Sequence, residues 1–299
     1  MIRRFAPLAL ASTLILGACG SGNALSKSDV LAVNGTGYSL DDLNAVIDTL
    51  VETKQLSKSN GKVAGDDLKG ILRVIIKSEA YKQFKSSIGL TEDPAIAQRI
   101  KDTAAADKTF ATYPKVMQDL LLDLNIAEGN LEAAKIPATS TIKALYEKNP
   151  ASSGVLCLSH ILVKTESEAR QILKDLAEGA DFAVTAGKKS IDPSGKSDGG
   201  KLTDDGARCQ TLGNAQATYV PEFVRGAVAA KAGVPSGPVK SQFGWHIILN
   251  AAYDDVADDI TTALGKTPMQ NLIVGYMATA DIRIASTYGT WDGATASIN

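Results

Sequence analysis

The stretch Val155-Leu156-Cys157-Leu158-Ser159-His160-Ile161-Leu162-Val163 is a continuous β-prone run whose polar residues sit together in its middle, the pattern of a buried strand. Just after it, Thr165-Glu166-Ser167-Glu168 is a capping box, in which a threonine and a glutamate three residues on satisfy each other's backbone amides at a helix start. The helix it opens closes at Gly179, and Asp181 caps a second, short helix through Lys189. A Gly/Ser/Asp-rich loop follows over Ile191 to Gly200, then a helix over Pro221 to Ala230, then strands near Pro238 to Lys240 and Trp245 to Tyr253. Strands separated by helices between Ala151 and Asp254 make a compact α/β unit of domain size.

Outward from this unit the texture is helical. On the N-terminal side, Val30 to Tyr38 alternates like a strand and turns at Asn34-Gly35, and Ser39 with Asp42 starts a helix. Leu43, Val46, Ile47, Leu50 and Val51 recur at one face of that helix. Further helices are predicted over Asp66 to Phe84, Ala95 to Ala106, Lys115 to Asn125 and Thr139 to Lys148, the last stopped by Asn149-Pro150. On the C-terminal side one helix is expected from Asp255 to Ala280, then a short strand, Asp281-Ile282-Arg283-Ile284. That strand and the lone strand near Leu31 each need a partner, and the economical topology pairs them. The fold class is therefore α+β, with residues 151–254 inserted into one mainly helical domain built from 30–150 and 255–299, which is expected to fold without the insert.

The chain has 299 residues, 44% apolar and 21% charged, with 31 basic against 33 acidic side chains, enough to bury a sizeable core and without the basic excess of a nucleic-acid binder. With two histidines, three cysteines and no CxxC or HExxH spacing, a zinc site has no ligand cluster to build on; neither a metal nor a cofactor is expected. At the N-terminus, Arg3 and Arg4 precede an apolar run from Phe5 to Leu16 that is too short for a membrane span. It ends in Leu16-Gly17-Ala18-Cys19, which resembles the lipobox of bacterial lipoproteins. The reading is a signal peptide over 1–18, a lipid-carrying Cys19 and a tether over 19–29, which puts the protein in the cell envelope on the extracytoplasmic side of a bacterial membrane; the alternative is an ordinary secretory signal with a coincidental cysteine. Outside the cytoplasm thiols oxidise, so Cys157 and Cys209 are a candidate disulfide, against two buried free thiols.

Six blocks then carry a resemblance: Ser159-His160-Ile161-Leu162-Val163; Gly179-Ala180-Asp181-Phe182; Ser190-Ile191-Asp192-Pro193-Ser194; Gly199-Gly200-Lys201-Leu202; Val220-Pro221-Glu222-Phe223; and Gln242-Phe243-Gly244-Trp245-His246-Ile247-Ile248. In order and spacing they resemble a parvulin-type peptidyl-prolyl cis/trans isomerase domain, and the flanks look like those of secreted foldases and chaperones of the SurA and PrsA type. The resemblance implies an isomerase foldase acting on unfolded or proline-containing secreted polypeptides, held at the membrane by its lipid, with no nucleic-acid partner. The other reading is a holdase chaperone or assembly factor in which the parvulin unit only binds peptide.

By the same resemblance, His160, His246 and Asp192 occupy the two facing histidines and the group beside the reacting carbonyl, while Leu202, Tyr219, Phe223 and Phe243 supply an apolar slot for the proline ring. Taken singly, each histidine reads as a core residue satisfied by one hydrogen bond, Asp192 as a turn residue, and Phe223 and Leu202 as ordinary core. The chain departs from the family's Gly-Gly-Asp-Leu-Gly at Lys201 and Thr203, and its stretch from Asp204 to Thr218 is long. Lys164-Thr165-Glu166-Ser167-Glu168 lacks the basic cluster that pairs a phosphoryl group, so no preference for phosphorylated substrate is expected.

Overall fold

Asn34 and Gly35 both take positive φ, 46° and 87°, as a two-residue hairpin demands, and so fold β1 (Asp29–Val33) back onto β2 (Thr36–Ser39). Ser39 then caps α1 (Leu40–Glu52), its hydroxyl accepting the Asp42 amide at 3.1 Å. A small hairpin, β3 (Lys58–Ser59) and β4 (Lys62–Val63), leads to α2 (Gly65–Ser87), α3 (Pro94–Ala106), α4 (Lys115–Ala133) and α5 (Thr139–Lys148). The computed structural model describes residues 25–113, 115–265 and 267–299. The signal peptide expected over 1–18, Cys19 and the start of the tether lie outside the described residues.

From 151 to 254 the chain forms β5 (Val155–Leu156), β6 (Leu158–Val163), α6 (Glu166–Ala177), α7 (Phe182–Lys189), α8 (Pro193–Ser197), β7 (Gln210–Thr211), α9 (Leu212–Thr218), α10 (Pro221–Ala229), β8 (Ser236–Ser241) and β9 (Gly244–Asn250). The antiparallel sheet runs β6-β9-β8. Alternation along β6 divides its side chains between two layers. Ile161 and Val163 pack with Ala169 and Ile172 of α6, while Leu158 packs with Phe223, Val224 and Ala227 of α10. The expected loop over 191–200 contains the short α8, and the long 204–218 stretch carries β7 and α9.

The C-terminal part differs from the single helix expected over 255–280. It is two helices, α11 (Ala257–Leu264) and α12 (Pro268–Thr279). Gly265 takes φ 59°, ψ −141°, outside any helical region, and Pro268 lacks the N–H a continuous helix would need. Beyond them β10 (Ile282–Ile284) pairs antiparallel with β1, Leu31 opposite Ile284, giving the sheet order β10-β1-β2. Asn34 fastens this seam: its side chain accepts the Asp281 amide at 2.9 Å and donates to Gln83 and to the Tyr276 hydroxyl. A last hairpin, β11 (Trp291–Asp292) with β12 (Ser297–Ile298), was not anticipated from the sequence.

The inserted unit and the helices around it share one core. Val155, Cys157, Cys209 and Tyr253 pack with Ile142 and Tyr146 of α5, Ile260 and Leu264 of α11, and Leu272 and Ile273 of α12, all buried. Removing the insert would strip these contacts from the helical part, so independent folding of that part carries a cost that the linear reading did not show. Within this core Cys157 and Cys209 form a disulfide across a separation of 52 residues, with 4.2 Å between Cα atoms. Constraint of a loop of that length stabilises the folded chain by roughly 4 kcal/mol on the chain-entropy account. The double substitution Cys157→Ser, Cys209→Ser should therefore lower the unfolding free energy in urea by about that amount; an unchanged midpoint would show that the bond contributes nothing.

Candidate active site

In the β6–β9 register His160 lies opposite Ile248, and Leu162 lies opposite His246. The two histidines are thus diagonal neighbours on one sheet face. Their rings stack at 5.5 Å between centroids, 20° from parallel, with Nδ1 atoms 3.2 Å apart. Both are buried, 5% and 4% exposed. The Phe223 ring of α10 stands steeply to both, with its centroid 5.6 Å from that of His160 and 5.2 Å from that of His246, and the Tyr219 ring lies 5.1 Å from that of Phe223. The Tyr219 hydroxyl is held by the Gln210 side-chain amide at 2.9 Å.

Asp192 arrives on the loop after α7, and that loop is stitched to β6. Ile191 N–H donates to the Leu162 carbonyl at 2.8 Å, and the buried Ser190 hydroxyl accepts both the Leu162 and the Asp192 amides at 3.2 Å. This brings an Asp192 oxygen to 3.4 Å from His160 Nε2, an ion-pair distance. Gly200 closes the other side: it accepts the His160 amide at 2.8 Å, and with φ 81° a Cβ there would lie 2.5 Å from the His160 carbonyl oxygen, so the close approach requires glycine. His160, Leu162, Asp192, Leu202, Thr218, Tyr219, Val220, Phe223, Phe243 and His246 line one cleft of about 330 Å³.

All seven residues singled out from the sequence as catalytic or substrate-binding therefore line this cleft. Phe243 is at its lip, 59% exposed, and not on the floor with Phe223, because it stands in the tight turn joining β8 to β9. Ser241 escaped the sequence reading. Its hydroxyl lies 2.8 Å from His246 Nε2 and accepts the Phe243 amide at 3.1 Å. The available signal was a serine close before the tight turn that precedes His246.

One arrangement of protons joins Phe243 to His160 along the row, and the Asp192 carboxylate faces His160 Nε2 at 3.4 Å without a hydrogen bond between them. A carboxylate only accepts, so it favours the proton of His160 on Nε2. His160 Nδ1 then accepts from His246 Nδ1–H, and His246 Nε2 accepts from the Ser241 hydroxyl, which itself accepts from Phe243. Every donor points toward Asp192, with both imidazoles neutral. Burial holds His160 below the ordinary histidine value, against the pull of Asp192. Burial, and then the neighbouring His160, push His246 down to about 4, again opposed by Asp192. The cleft thus offers an apolar floor, a buried neutral imidazole pair and a carboxylate at one end.

Residues 160–251 match a rotamase family model described as the PPIC-type PPIASE domain. A foldase protein PrsA of Clostridium kluyveri is 34% identical over 170 residues, covering 56% of this chain and 45% of that protein. The chain thus spans about half the length of that relative. The foldase protein PrsA of Halalkalibacterium halodurans is 27% identical over 297 residues, covering 92% of this chain and 82% of that one. The solved structure of the peptidylprolyl isomerase PrsA from Bacillus anthracis is 24% identical, covering 79% of this chain and 95% of that chain, with a TM-score of 0.29.

A histidine held neutral in the folded chain but free to protonate when unfolded makes stability fall with pH. His246 contributes no proton-linked cost above its ordinary value of 6.5, a growing one below it, and the full cost once pH falls through about 4. Between pH 7 and 4 the wild type should lose more unfolding free energy than His246→Gln, measured by urea titration at each pH; parallel losses would show that the imidazole is not buried neutral.

Proposed function

With residues 160–251 a PPIC-type peptidyl-prolyl isomerase domain, we propose that this chain catalyses cis/trans isomerisation of X-Pro bonds in unfolded polypeptides and so assists the folding of secreted or envelope proteins. The observation that carries the reading is the convergence of His160, His246 and Asp192 on one cleft floored by Phe223. Rotation about the X-Pro bond faces a barrier of about 18–20 kcal/mol from amide resonance, and no covalent bond need be broken. What lowers it is a site that fits the twisted amide better than either planar form.

The residues have distinct parts in this. Phe223, Tyr219 and Leu202 receive the proline ring and exclude water from the amide, and Phe243 closes the lip. The twisted bond loses conjugation, so its nitrogen becomes pyramidal and its carbonyl more ketone-like. Asp192 acts by charge beside that carbonyl, favouring the turn that moves the oxygen away from it. His160 and His246 hold Asp192 and the sheet face in place while adding no charge of their own. The helical scaffold formed by 30–150 and 255–299 presents client chains to the inserted unit, and a lipid on Cys19 keeps the protein on the outer side of a bacterial membrane.

On a proline tetrapeptide the full chain should speed isomerisation well above the uncatalysed rate. Asp192→Ala should lower kcat about a hundredfold, the size of a charge interaction confined to the transition state, with KM nearly unchanged. Phe223→Ala should raise KM instead, because it empties the slot, and a melting curve taken beside it separates that from unfolding. A wild type that prevents aggregation of unfolded clients yet leaves several proline peptides unaccelerated would overturn the enzyme reading.

A further inference from the structure

The two aromatic residues of the cleft floor sit on one short stretch of chain, Tyr219 between α9 and α10 and Phe223 in the first turns of α10. That stretch is gripped on both sides by the C-terminal hairpin. Before it, the Gln216 side chain of α9 donates to the Ala294 carbonyl at 2.8 Å. After it, Arg225 of α10 donates through Nε to Asp292 at 2.8 Å, and Asp292 is 11% exposed. Between the two grips, Ala294 is buried in the same apolar cluster as Phe223, Val224 and Ala227.

The hairpin is fixed at its other end to the scaffold. Ile298, paired with Trp291 across the hairpin, is buried among Leu31, Leu72 and Ile75 of the N-terminal sheet and α2. Its turn rests on α12: a Cβ at Gly293 would lie 2.5 Å from the Ala278 carbonyl oxygen, so the backbones meet without side chains between them. By contrast His160, Asp192 and His246 are held from within the β6–β9 sheet and the loop stitched to it, and none of their hydrogen bonds described above runs to the hairpin.

From this geometry we infer that residues 285–299 brace the floor of the cleft, with Arg225 and Asp292 as positioning residues that set where Tyr219 and Phe223 meet a bound proline. The inference rests on the proposed isomerase reading and adds to it that the substrate slot is completed by a segment outside the isomerase unit. It separates two properties of the site. Peptide affinity depends on the brace directly, whereas the imidazoles meet it through the ring of Phe223.

The test uses the full chain carrying Arg225→Ala, Asp292→Asn or both, compared with Arg225→Lys. KM for a proline tetrapeptide should rise about threefold to fivefold in each single variant, the range set by one well-formed ion pair, with kcat nearly constant and no further loss in the double variant. Arg225→Lys should recover most of the affinity. Hydrogen exchange read by mass spectrometry should quicken over residues 215–228 and stay unchanged over 158–163 and 244–250, a pattern that general destabilisation would not give. Unchanged KM with unchanged exchange over 215–228 overturns the brace. A wild type without isomerase activity sinks the proposed function instead, and the exchange pattern alone then decides the brace.

Discussion

The pairing of Leu158–Val163 with Gly244–Asn250 is the constraint on which the rest of the site depends. Its register puts Leu162 opposite His246 and His160 opposite Ile248, so both imidazoles fall on one face and within hydrogen-bonding distance. A slip of one residue would send one of them into the α6 layer, among Ile161, Val163 and Ile247. Burial between the sheet and α10 keeps the rings neutral, and neutrality lets a single direction of hydrogen bonding run from Phe243 to His160, whose Nε2 faces Asp192 at 3.4 Å. Position, charge state and polarity of the site are thus consequences of one strand register.

Much of this was legible in the chain itself, for identifiable reasons. His160 lies in an apolar run and His246 in a second one, and the chain holds no other histidine; the runs read as strands on their own, but that the two rings face each other came from the resemblance to parvulin domains. The capping residues Ser39, Thr165 and Asp181 announced their helices through side-chain chemistry, and each accepts the backbone amide expected of it. Ser241 was missed because its role comes from a hairpin register and a tight turn, and neither leaves a periodic trace. The helix α9 was missed because a segment from Leu212 to Thr218 is too short to show an apolar stripe. The C-terminal hairpin was missed because its strands are two residues each, held by tertiary contacts and not by local propensity.

The boundary between the inserted unit and its surroundings was drawn from a change in texture. It is not a boundary in packing. Tyr146 of α5 is fully buried and donates to the Ala251 carbonyl at 3.0 Å, Asn149 donates to Val228 of α10 at 2.9 Å, and the disulfide lies inside the shared cluster. Asn250, at the end of β9, adds a bond to the Ala227 carbonyl at 3.0 Å. Asn149, which precedes the insertion in sequence, therefore holds the C-terminal end of α10, the helix that carries Phe223. Sequence patterns report which side chains turn inward, and they are silent on whose interior it is.

The pairing of β1 with β10 has a consequence for the history of each molecule. Residues 29–33 are among the first of the described chain to be synthesised, yet their neighbour across the sheet is 282–284. Until that distant segment exists, one edge of β1 offers an open row of amides and carbonyls to any extended chain nearby. The α/β unit, whose strands are closer in sequence, can settle earlier. The scaffold sheet closes only when residues 282–284 reach 29–33.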